Sequence, residues 1–162
     1  MRRDQRGFSL LELLIVVAII LIIAAISIPN FVRSRVAANQ ASAIESLRVI
    51  STAEVTYSNT YGTGFSTSLA VLGMPAGAQA VSSTAAGLLD ETLAAGYKSG
   101  YSFVYTPSHY NASTNSWNGY SLLANPSAYG QTGGVYYYCD ESFVIRANSQ
   151  NPAASTDMIV GN

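Results

Sequence analysis

Gly7-Phe8-Ser9-Leu10-Leu11-Glu12 opens an apolar run that continues to Ile28. From Leu13 to Val32 twenty residues pass without a charge, most of them Leu, Ile, Val or Ala. At 1.5 Å per residue an α-helix of that length is about 30 Å long, the hydrocarbon thickness of a bilayer. Arg2, Arg3 and Arg6 stand in front of it, with Asp4 the only acid. Cations on that flank hold the N-terminus in the cytoplasm and leave the remaining chain outside. The first expectation is therefore a single-pass membrane helix.

Glu12 does not fit a plain anchor, because an ionised carboxylate inside an apolar run is costly unless something pairs with it. The string Gly7 to Glu12 resembles the processing site of type IV pilins and of the related pseudopilins of type II secretion systems. The resemblance implies a basic leader cut after Gly7 by a prepilin peptidase, N-methylation of Phe8, and a role for Glu12 in assembly. Pro29, followed by Asn30 and Phe31, matches the proline partway along the family's N-terminal helix. Implied partners are the peptidase and methyltransferase, an assembly ATPase, a platform protein and other pilin subunits. Cleavage converts the peptide nitrogen of Phe8 into an α-ammonium, with an unperturbed pKa of about 8. In low dielectric that charge attracts a carboxylate far more strongly than in water. The expected switch is Glu12 of one subunit pairing with Phe8 of its neighbour. Gly7 also suits a protease, since it offers no side chain to obstruct an extended backbone. A cleavable secretory signal is the rival reading. Ala25-Ile26-Ser27 loosely resembles a small-residue cleavage site, but the apolar run is long for a signal peptide.

About 130 residues follow Val32, enough for one core. Charged residues make up 10% of the chain, against about 25% in an ordinary soluble domain. Net charge is −1, and removal of residues 1–7 leaves five basic and eight acidic side chains. That balance argues against a large nucleic-acid footprint. Cys139 is the only cysteine, so no intramolecular disulfide forms. Many members of the resembled family close their C-terminal region with one, and this chain departs from them. Cys139 is expected to be a buried small apolar residue.

Pro29 removes a backbone donor inside the helical stretch and is expected to bend or loosen it. Beyond it Ala37, Ala41, Ile44, Leu47, Ile50, Ala53 and Tyr57 recur every three or four residues, marking one buried face. Arg33, Arg35, Glu45, Arg48 and Glu54 are expected mostly off that face. Tyr61-Gly62-Thr63-Gly64 ends the helix. Short helices are expected at Ser68–Leu72, capped by Ser66 or Thr67, and at Leu88–Ala95. Strand signals follow at Tyr101–Tyr105, Gly119–Ala124, Val135–Cys139 and Ser142–Ala147, with a tight turn at Asp140-Glu141.

The expected fold is α+β, with a long N-terminal helix packed on a C-terminal antiparallel sheet of about four strands. The family resemblance implies the same order. The expected divisions are a leader at 1–7, a membrane and polymerisation half-helix at 8–32, an amphipathic half at 33–61, a connecting region at 62–100, the sheet at 101–147 and a loose tail at 148–162. A serine triad through His109 has no nucleophile elbow to support it, so no enzymatic activity is expected. No cofactor is expected either. Asp140, Glu141 and Asp157 are the only calcium candidates, without a supporting loop spacing. Asn111-Ala112-Ser113 is a glycosylation sequon of low specificity. The eleven tyrosines are expected mainly to pack the sheet. The expected function is a structural subunit of a type IV pilus-like filament, held in the bacterial inner membrane before assembly at the cell surface. The alternatives are a periplasmic type II secretion pseudopilin and, from another class, a membrane-anchored binding module that never polymerises.

Overall fold

A computed structural model of the chain describes residues 8–77 and 79–160. The expected leader, with Gly7 at its end, lies outside the described residues. The chain divides into two compact units, one ending at Arg35 and one running from Val36.

Helix α1 spans Leu10–Tyr61 and runs through Pro29 without interruption. No glycine occurs between its ends, and the run of Leu, Ile, Val and Ala supplies side chains that pack well along a helix. Its end is a left-handed glycine cap. Gly62 has φ 65°, and its N–H donates to the Ser58 carbonyl at 2.9 Å.

In the second unit α1 buries Ala43, Leu47, Ile50, Glu54 and Tyr57, a three- and four-residue series. Two sequence expectations are corrected here. Glu54 lies on the buried face and is fully enclosed, while Ala37 and Ala41 are exposed. The register explains Glu54, since it stands four residues past Ile50 and three before Tyr57.

Two short helices follow, α2 at Leu69–Leu72 and α3 at Glu91–Ala94. Ser68 is the α2 N-cap residue without a side-chain bond, and the hydroxyl of Ser66, the expected cap, donates to Glu54 instead. Asp90 caps α3 by accepting from the Leu93 N–H. Helix α3 starts later than expected because the N–H groups of Leu88 and Leu89 both donate to the Leu72 carbonyl. They satisfy the open end of α2 instead of beginning a helix.

The sheet has six strands rather than four, all antiparallel and in sequence order. They are β1 (Tyr97–Lys98), β2 (Tyr101–Asn111), β3 (Ser116–Pro126), β4 (Tyr136–Asp140), β5 (Arg146–Asn148) and β6 (Met158–Ile159). Two rows point inward onto α1, Phe103–Ala124–Tyr137–Ala147 and Tyr105–Leu122–Cys139. The expected strand at Ser142–Ala147 is displaced. Asp140 folds the chain back by accepting from the Phe143 N–H and Ser142 N–H, so pairing resumes only at Arg146. The tail is not loose, since Met158–Ile159 adds the last strand.

Candidate assembly segment

The first unit, taken by itself, is an apolar helix whose side chains are exposed. From Phe8 to Arg35 every residue is exposed except Ala24, which is half-buried. Its most apolar 18-residue window has a mean hydropathy of 3.1. In a chain with a well-filled core elsewhere, an uncovered surface of this kind is an interaction surface.

The helix start is built by Ser9 and Glu12. Ser9 Oγ accepts from the Leu11 N–H at 3.3 Å, and Glu12 Oε2 accepts from the Ser9 N–H at 3.4 Å. The Ser9 carbonyl takes the first helical bond, from the Leu13 N–H at 3.2 Å. This is a capping box, in which two otherwise unpartnered donors are satisfied reciprocally. Glu12 therefore sits in the positive field of its own helix N-terminus, four residues from Phe8. The spacing Ser-x-x-Glu before an apolar run was the available signal for this cap. Phe8 itself is 81% exposed.

Elsewhere the structure separates the remaining sequence candidates. Asp140 is engaged by Ser142, and Asp157 by Asn148 and Ala154. Among the described residues no group of three or more His, Cys, Asp or Glu side chains surrounds a common point. Asp157 instead closes the C-terminal region. Its Oδ1 accepts from Asn148 Nδ2 at 3.1 Å and its Oδ2 from the Ala154 N–H at 2.7 Å, while Arg146 donates to its carbonyl at 3.0 Å. Cys139 is buried, its Sγ 3.5 Å from Ser51 Oγ, and burial pushes its thiol pKa up. It is packing, not a reactive thiol. Several tyrosines serve the core: Tyr105 stacks on Tyr120, and Tyr101 donates to the Val135 carbonyl.

The prokaryotic N-terminal methylation motif matches residues 2–28. The type IV major pilin protein PilA of Myxococcus xanthus is 48% identical over 53 residues, covering 33% of this chain and 24% of that protein. The type IV wide pilus major component PilA4 of Thermus thermophilus is 57% identical over 37 residues, covering 23% of this chain and 28% of that protein. The chain thus spans about a quarter of the length of these curated relatives. No solved structure matches it. In its methylation motif and the apolar helix that carries it, the N-terminal part of the chain is thus similar to type IV major pilins.

Proposed function

We infer that this chain is a structural subunit of a type IV pilus-like filament. It is cut between Gly7 and Phe8, methylated at Phe8, stored in the inner membrane and polymerised through the first half of α1. The observation that carries this reading is the uncovered apolar helix with a single carboxylate, Glu12, four residues after Phe8. Prepilin peptidase and its methyltransferase activity, an assembly ATPase and a platform protein are the implied partners. Both relatives described above are major pilin components, which favours a filament over a secretion pseudopilus.

The mechanism follows from charge. Among the described residues Glu12 accepts from the Ser9 N–H. Cleavage adds an ammonium at Phe8. A subunit entering a bundle of apolar helices must then neutralise both charges, since each alone is expensive away from water. Pairing Glu12 with a neighbour's Phe8 does so and fixes the axial stagger of adjacent helices.

Glu12→Gln keeps the acceptor oxygen for the Ser9 N–H but loses the charge. The expected outcome is normal cleavage and membrane insertion with loss of filaments, read by immunoblot of membrane and sheared fractions. Abundant filaments from Glu12→Gln would overturn the pairing.

A further inference from the structure

Among the described residues Glu54 is the only Asp, Glu, Lys or Arg side chain that is fully buried. No cation faces it. The ion pairs of the described residues are Arg48–Glu45 and Lys98–Asp90, and neither includes it. The groups around it are Ser66 from the segment after α1, Tyr105 from β2 and Tyr120 from β3. Ser51 on α1 and Cys139 of β4 lie beyond Tyr120. None of these carries a positive charge.

The Ser66 hydroxyl lies 2.5 Å from Glu54 Oε1 and 3.1 Å from the Ser68 carbonyl oxygen. A hydroxyl has one proton, so it satisfies both oxygens only when one of them brings a proton of its own. Glu54 is the one that can. Neutral Glu54 donates from Oε1 to Ser66 Oγ, the Ser66 hydroxyl donates onward to Ser68, and Oε2 still accepts from the Ser66 N–H at 2.8 Å. Each of these groups is then partnered without a buried charge. Ionised Glu54 takes the Ser66 proton instead and leaves the Ser68 carbonyl with the Val71 N–H at 3.2 Å. It also keeps an unpaired charge away from water, which is costly. Tyr105 does not make up the deficit, because its hydroxyl donates to the Ser66 carbonyl at 2.9 Å.

Glu54 makes the only hydrogen bonds between α1 and residues 65–68 among the described residues. We propose that Glu54 is a proton-operated latch: neutral, it fastens residues 65–68 to α1, and ionised, it lets that segment open to water. Opening returns the carboxyl to its ordinary value of 4.5, whereas burial holds it higher in the closed state. Opening therefore releases a proton. It is favoured as pH rises from 4.5 through the closed value, and levels off above that. An acid medium firms this joint and a less acidic one loosens it. The latch does not depend on the assembly reading above.

The test is amide hydrogen exchange of the full processed chain in detergent micelles, each rate corrected for the base-catalysed exchange of an open chain. Protection of the Ser66 N–H is expected to fall as pH rises from 4.5 and then to level off. The slope for a single proton is up to about tenfold per pH unit. Amides at the centre of β3, such as Leu122, are expected to be better protected at every pH, which marks the opening as local. Glu54→Gln imitates the neutral acid, since its amide donates to Ser66 Oγ while its carbonyl accepts from the Ser66 N–H. It is expected to abolish the pH dependence and keep the segment closed. Parent protection that does not change with pH, or Ser66 exchange that occurs only together with Leu122, would overturn the latch. Both readings need only the parent chain. A folded Glu54→Gln chain with the parent's pH profile would overturn it as well.

Discussion

Glu54 shows how much one side chain decides in this head. Its Oε2 accepts from the Ser66 N–H at 2.8 Å and its Oε1 from Ser66 Oγ at 2.5 Å, tying the last turns of α1 to the segment after it. Burial raises its pKa, and the Ser66 bonds offset only part of that rise. The folded chain therefore holds the proton more tightly than the unfolded chain. Stability is expected to fall as pH rises from 4.5, the ordinary value, through the raised folded value, and to carry no dependence from this group below 4.5. Denaturant titrations across that range check the sign. Glu54→Gln should flatten the slope with the fold retained. Glu54→Leu should cost about 1–3 kcal/mol, because the Ser66 donors then lie buried without an acceptor. Asp90 shows the opposite environment. Its hydrogen bond with Lys98, helped by Thr92 and the Leu93 N–H, lowers its pKa to about 2 on an exposed surface. The burial of Glu54 was not read from the sequence, where the series 47, 50, 57 was carried through Ala53 and left Glu54 off the face. Its charge argued for the surface, and no sequence signal named Ser66 as the partner.

At the scale of elements, close approaches fix the joints. After α1, the Phe65 N–H donates to the Trp117 carbonyl at 2.8 Å, and a Cβ on Gly64 (φ 76°) would overlap that carbonyl. Gly64→Ala is expected to cost at least about 2 kcal/mol, combining backbone strain with the overlap. Gly62→Ala, also at positive φ but with open space around it, should cost about 1 kcal/mol. Thermal melts of the two variants compare strain with strain plus clash. Asp157→Ala should release the clamp on the tail, lowering local stability by about 1–2 kcal/mol and speeding hydrogen exchange at Met158–Ile159. The strand cores were legible in the alternation of Tyr101–Tyr105 and Gly119–Ala124, but their length was not. Pro107 reads as a stop, yet β2 continues through it. The neighbouring β1 pairs only with Tyr101 and Ser102, so Pro107 lies where β2 is an edge and no donor is missed there. The strands β1 and β6 have two residues each, too few for any period to register.

For the whole molecule, each unit fits a different surrounding. The unit from Val36 fills its own core with helix and sheet residues, while the unit ending at Arg35 leaves its apolar surface to lipid or to other helices. The apolar run itself was legible in the sequence, because an all-round apolar stretch needs no tertiary partner to be recognised. The proposed function requires that cleavage at Phe8 makes a subunit that polymerises. Intact-mass and N-terminal analysis of filaments sheared from the cell surface tests it most directly. Chains beginning at N-methylated Phe8 are expected in that fraction. Chains that retain residues 1–7, or a processed chain confined to the envelope, would contradict it.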